Sequence, residues 1–241
     1  MKKTITSLKE NWIRYGFEAI VITVGILGAF MLESLYDNKK TKETEHKLLN
    51  EMVSGLENDI STLDFNIALH ESGTRACRII LESFEQDLRY NDSLSQYFAM
   101  THNYTVFAPN KGAYESIKSL GIEIIQNDKI RLESIKLYEQ IYITLQQNNM
   151  RVQEQIFDLQ QNFNPPLFEG FILFDFDKSD RIKGSYGGRM VPTNFEDLKT
   201  NQLYRYHLNS LSNVHSALTT YNKNIKRQIE SLIELITIEL K

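Results

Sequence analysis

The sequence is poor in the residues that interrupt helices and in those that staple small folds. It has 4 prolines, 11 glycines and a single cysteine in 241 residues. So few breakers, almost none of them inside the long patterned stretches, disfavour a turn-rich all-β chain and favour helices. One cysteine, Cys77, cannot form an internal disulfide, and no small-residue lipobox precedes it. It reads as a small apolar residue on a helix face. A dense Lys/Arg stripe is also lacking: 27 basic residues stand against 31 acidic ones, for a net charge of -4. That excludes nucleic acid as the main partner. Hydrophobic residues at 41% and charged residues at 24% exclude general disorder.

One long apolar run is present. Residues 19–32 read AIVITVGILGAFML, without a charge. A membrane span needs about 20 apolar residues. Trp12, Ile13, Tyr15 and Phe17 lengthen the run on one side, and Leu35 and Tyr36 on the other, with aromatic residues where the two headgroup layers would lie. The run is apolar all round, unlike a core helix with one polar face. Its exit, Met31-Leu32-Glu33-Ser34, is a poor signal-peptidase site. The expectation is a transmembrane helix over 16–36 after a cytoplasmic tail of 1–15, an uncleaved signal anchor. Glu18 is an intramembrane carboxylate near the edge, where charge costs least. Gly25 and Ala29, four apart, have the spacing that lets two span helices pack closely. Basic residues tie on the two sides of the run, so charge alone does not orient it.

Beyond the span three stretches repeat apolar residues at steps of three and four. The first is Leu49, Met52, Leu56, Ile60, Leu63 and Ile67, resuming with Cys77, Ile80, Phe84 and Leu88. The second is Ile135, Tyr138, Tyr142, Leu145, Asn149, Val152, Ile156, Leu159 and Phe163. It lies between an Asn127-Asp128 start and an Asn164-Pro165-Pro166 stop. The third runs from Tyr204 through Leu208, Leu211, His215, Leu218, Asn222, Ile225, Ile229 and Leu232 to Ile236, opened by Thr193 or Asn194. Such stripes bury themselves against one another, so the expected fold is all-α: a transmembrane helix continuous with an elongated, coiled-coil-like antiparallel bundle over 37–241. An insert at 92–125 holds two short helices, with Leu94, Tyr97 and Phe98 inward on one and Tyr114, Ile117 and Leu120 on the other. The connection 164–192 is too long for a plain loop; its Phe171, Ile172, Phe174 and Phe176 predict a short extended pairing or a cover over the bundle's end.

Two segments resemble a family of small bacterial membrane proteins of unknown function, built as one amino-terminal span followed by a helical domain. They are GFEAIVITVGILGAF, with Gly16, Glu18, Gly25 and Ile26, and KGAYESIKSLGIEIIQNDKIRLESIKLYEQIY, with Tyr114, Glu115, Ser116, Gly121, Ile125 and Tyr138. The resemblance implies an inner-membrane protein with a periplasmic domain, and implies no activity. Met31-Leu32-Glu33-Ser34 departs from that family, which has an amide-rich stretch and a Trp there.

Chemistry-bearing patterns are sparse. Glu43-x-x-His46 has the spacing of half a di-iron site, without the second pair such a site needs. Asp175-x-Asp177-x-x-Asp180 lacks the Gly and distal Glu of a calcium loop and reads as a solvated acidic turn. Ser185-Tyr186-Gly187-Gly188-Arg189 lacks the strand-to-helix context of a phosphate site. His215 on its apolar stripe reads as a hydrogen-bonded core histidine. Asn149 and Asn222 interrupt stripes either to fix register or to face water at the edge. No catalytic residue, metal site or cofactor is expected. The expected function is non-enzymatic: a membrane-anchored scaffold or interaction subunit whose partners are the bilayer and either itself or another membrane protein. The alternatives are a small-molecule sensor, with Tyr114, Phe171, Phe174 and Phe176 as candidate pocket or partner surface, and an oligomeric channel subunit using Glu18.

Overall fold

The computed structural model describes residues 12–173 and 188–241. Among the described residues the fold is all-α apart from one strand pair. It falls into two compact units, residues 1–49 and 50–241.

Helix α1 (Trp12–Glu85) runs unbroken through both units. Neither Gly55 nor Gly73 interrupts it: the helix continues through both, and both residues are packed. In the first unit its apolar side chains face outward in every direction: Ile20, Val24, Leu27, Phe30 and Leu32 are all more than half exposed. This stretch is long and apolar enough to cross a membrane. No described chain packs on Gly25, and Ala29 is exposed.

The second unit carries the core. After α1 come α2 (Ser93–Met100), α3 (Gly112–Leu120) and a 3-10 turn (Ile122–Ile124). The second long helix follows as α4 (Asp128–Lys136) and α5 (Tyr142–Asp158), joined by a π turn (Leu137–Ile141) and ended by another (Leu159–Phe163). Strands β1 (Phe168–Leu173) and β2 (Gly188–Pro192) pair antiparallel, with Phe171 opposite Met190, which is the extended pairing expected of the connection. Helix α6 (Phe195–Thr200) precedes the last long helix, α7 (Gln202–Glu239).

Caps explain the breaks. The Asn127 side chain accepts from the amides of Lys129 and Ile130 and starts α4. Asn194 opens α6 and Asn201 opens α7, so the third stretch begins twice rather than once. Gly121, at φ 103°, stops α3 in a conformation that side chains disfavour.

Direction is set by the return of the chain. Asn110 donates its backbone N–H to Asp59 at 2.9 Å, so residues 101–110 run back beside α1 before α4 begins. The α4–α5 helix therefore advances parallel to α1: Ser134 meets Met52, Tyr142 meets Asp59, and Ile156 joins Cys77 and Ile80 in one cluster. Helix α7 is antiparallel to both, as the paired His70 and His215 and the Asp64–Lys226 ion pair require. Antiparallel packing thus holds for α7, while the insert makes the other pair parallel.

The stripes are buried where expected through most of their length. Seven positions differ. Ile60, Val152 and Phe163 are only partly covered. Ile135 is only partly covered and Ser134 is buried instead, because the π turn carries one extra residue and shifts the phase of α4. Leu120 is 60% exposed at the end of α3, Leu88 lies past the end of α1 and is exposed, and Tyr97 is only half-buried.

Candidate functional site

The most concentrated polar chemistry lies in the second unit, where α1, the segment after α2, the end of α5 and α7 meet. Three histidines, His70, His102 and His215, are buried there. His70 Nδ1 is 3.0 Å from His215 Nδ1, His70 Nε2 is 3.1 Å from Thr105 Oγ1, and His215 Nε2 is 3.1 Å from the Thr101 carbonyl. These contacts fix the protons. A carbonyl only accepts, so His215 carries its hydrogen on Nε2, and its Nδ1 accepts from the N–H at His70 Nδ1. His70 Nε2 then accepts from the Thr105 hydroxyl.

The same logic orients His102. Thr101 Oγ1 donates to the Phe98 carbonyl at 2.7 Å, so the 2.9 Å contact with His102 Nδ1 runs from ring to hydroxyl. His102 Nε2 is left to accept from Asn164 Nδ2 at 2.9 Å. Asn103 Nδ2 donates to Ser72 Oγ at 3.3 Å beside it. All three rings are neutral: burial holds His70 down to about 3 and His102 to about 4, and lowers His215 as well. With every ring nitrogen committed, none is a free base, nucleophile or metal ligand. The arrangement ties four segments together.

Glycine makes the contact possible. An ideal Cβ on Gly73 would sit 2.6 Å from His215 Nε2, so α7 approaches α1 here only because residue 73 has no side chain.

One face of His102 borders a cavity of about 500 Å³. Its walls are Tyr104, Val106, Phe157 and Phe171, with Tyr104 edge-on to Phe157 at 5.5 Å between ring centres. Asn103 and Gln160 supply amides, and no described lining residue is charged. A smaller cavity of about 260 Å³ shares Gln160 and Phe171 and reaches Asn164 and Met190. Phe171 stays at this position because it lies over Gly188, where an added Cβ would strike its ring.

A second buried polar centre is Asp59. It accepts from Tyr142 Oη at 2.7 Å and from the Asn110 amide. Burial raises its carboxyl above the usual range against both hydrogen bonds. Tyr142 also meets Phe107 and Tyr138 edge-on. Elsewhere Lys199, only 7% exposed, bridges Asp87 at 2.6 Å and Glu196 at 2.7 Å and so pins α6 to the end of α1.

Of the expected pocket residues, Phe171 lines both cavities. Tyr114 does not join it: its ring is buried and stacked on Tyr138 at 4.3 Å, beside the Asp59 centre. Phe174 and Phe176 lie outside the described residues, as do Asp175, Asp177, Asp180 and residues 185–187. His215 is the hydrogen-bonded core histidine its stripe implied. Asn149 and Asn222 are buried rather than at a wet edge. Cys77 is fully buried, its thiol pushed up to about 12 and unreactive. Among the described residues no three His, Cys, Asp or Glu side chains converge as a metal site.

Sequence reasoning missed His70, His102, Thr105 and Asn164. His70 was within reach, since Leu56, Leu63, His70 and Cys77 follow one another at steps of seven on the buried face of α1. His102 and Asn164 carry no periodic signal, because neither is in a long helix. No family model, curated protein or solved structure matches the chain.

Proposed function

We propose that the chain is a membrane-anchored scaffold or interaction subunit. Residues 16–36 lie in the bilayer, and the helical domain serves as a binding surface for a second copy or another envelope protein. The observation that carries this is the exposure of an apolar segment on all sides: Ile22, Ile26, Phe30 and Leu35 are each at least half exposed with no described chain over them. Water would not tolerate so continuous a surface, and lipid covers it at no cost. Trp12, Tyr15 and Tyr36 mark its ends. Within the domain, the buried histidines are spent on holding segments together, which supports a binding role over a catalytic one.

On the resemblance to the bacterial single-span family, the membrane is the inner membrane and the domain periplasmic. Carbonate-washed vesicles are expected to retain the full chain, a carboxyl-terminal reporter fusion to read periplasmic, and crosslinking in native membranes to yield a species larger than the monomer. Release by carbonate refutes the anchor, and monomer alone refutes the scaffold.

A second reading, a small-molecule sensor, is favoured by the cavity beside His102. Its size falls in the range of ligand pockets, and its uncharged aromatic walls with amides at the side suit a flat, uncharged, mostly apolar molecule. Saturable thermal stabilisation by such compounds, abolished by Val106→Trp, supports it. An unchanged melting curve across an uncharged aromatic library removes it.

A further inference from the structure

Heptad spacing from two observed contacts sets three asparagines at one level of the core. Asp59 on α1 is bonded to Tyr142 on α5; seven residues on, these parallel helices carry Asn66 and Asn149. Gly73 on α1 lies against His215 on α7; seven residues back along α1 is Asn66, and seven on along the antiparallel α7 is Asn222. Seven residues are two turns, so both pairs of helices return to the same face at the same height. The three side chains are 2%, 4% and 0% exposed.

Their amides are largely unspent. Asn66 Nδ2, both Nδ2 and Oδ1 of Asn149, and Asn222 Oδ1 make no hydrogen bond with any protein group. Buried amide groups rarely stay so, because leaving water without a replacement partner is unfavourable. Asn222 Nδ2 is tied to the Leu218 carbonyl at 2.7 Å, which fixes that amide's orientation and turns Oδ1, an acceptor, toward the level. Asn66 presents a donor there. Asn149, bonded at neither atom, can offer either.

This mixture selects the ligand. An anion is repelled by the Asn222 oxygen, and a cation by the Asn66 N–H group. A small neutral group that accepts from one and donates to the other fits, and between close-packed helices that group is water. We propose that Asn66, Asn149 and Asn222 form a binding site for one internal water molecule, a hydrogen-bonded hub that fixes the mutual register of the three long helices. A one-heptad slip of α7 sets Asn66 against His215 or Ile229 and leaves the hub without its third member. The site does not depend on where the amino-terminal segment resides.

The test is a high-resolution crystal structure of the full chain grown in bromide. The expected result is one spherical density peak within hydrogen-bond reach of all three amides, without anomalous signal. Anomalous scattering at that point makes it an anion site and overturns the assignment, as do three amides bonded directly to one another with no peak between them. A second arm reads the register role. Asn149→Leu strands the other two amides and lowers Tm, whereas the triple Asn→Leu variant removes every stranded group and melts above that single variant. Should Asn149→Leu not fold, Asn66→Leu, which strands the other two amides in the same way, replaces it as the reference. A triple variant melting below its single reference refutes a shared hub.

Discussion

One helix, α1, contains two regions of nearly the same apolar vocabulary and opposite fates. Between Ile20 and Leu35 its Ile, Val, Leu and Phe side chains are 52–71% exposed; from Met52 to Ile80 the core-facing Met52, Leu56, Leu63 and Ile80 are at 0%. The difference lies in arrangement. In the first region apolar residues occupy every angle around the axis, so no single neighbouring helix could cover them. In the second they form one stripe, backed by Glu57, Asn58, Asp64 and Glu71 on the outward side. Composition marks both regions as helix, and angular distribution decides which solvent each one suits.

The largest test of this comparison exchanges the angular pattern. Val24→Lys with Leu27→Lys places two charges at the middle of the all-round apolar stretch, at roughly 2.5–3.5 kcal/mol each for insertion. The double variant is expected in the soluble fraction, or degraded, while its domain keeps the wild-type circular dichroism. If it partitions with membranes as the parent does, the first region is not a span.

Acid separates the regions next, since the neutral His70 lies in the second, and His102 and His215 lie in the domain that buries it. The sign follows from their lowered values. In the unfolded chain each imidazole takes a proton as pH falls through about 6.5, whereas in the fold His70 resists to about 3 and His102 to about 4. Their contribution is complete above 6.5 and is lost progressively below it, by about 1.4 kcal/mol per pH unit per histidine. By pH 4.5 these two alone remove on the order of 5 kcal/mol by the same arithmetic. His215 adds to the loss, and the raised Asp59 carboxyl offsets part of it. Denaturant titrations from pH 7.5 to 4.5 measure the slope. A stability flat across that range means the rings are not held neutral.

How much of this was legible depended on whether a residue took part in a long rhythm. The three stripes, the Asn127 start, the Gly121 stop and the role of His215 follow from local spacing and cap chemistry. The parallel course of α4–α5 does not, because it turns on where residues 101–110 go. The Asn110–Asp59 bond that decides it joins positions 51 apart in sequence. Nor does the phase change at Ser134, since a π turn leaves no strong signature in residue types. The cavity was half visible: Phe171 was singled out, but Phe157 lies off its stripe, and Tyr104 and Val106 sit between the two short helices of the insert, where no periodic pattern marks them.

Truncation sharpens the comparison at intermediate scale. Leu63→Ala, at a fully buried position, is expected to cost 2–5 kcal/mol of domain stability, the range for large-to-small core changes. Leu27→Ala removes the same atoms from a side chain 57% exposed and should leave the domain's unfolding midpoint unchanged. Equal losses from the two variants would mean that residue 27 has a protein neighbour in solution, and oligomer size measured by light scattering would then drop for Leu27→Ala alone.

The smallest effect reports on a single approach within the second region. Gly73 touches the His215 ring where no Cβ has room, and that ring is held on its far side by His70. Gly73→Ala must therefore displace α7 or break a histidine bond, at an overpacking cost of about 1–3 kcal/mol. Alanine is the better helix former by about 1 kcal/mol, which works against the loss. A net destabilisation thus shows that the steric term wins, and the acid profile tells which way the strain goes. If His215 is pushed out of its bonds, the folded ring titrates nearer 6.5 and the low-pH slope becomes shallower. If α7 moves as a body, the midpoint falls with the slope intact. A more stable variant with an unaltered slope would mean that α1 and α7 do not meet at this point, and that the level assigned to Asn222 is misplaced with it.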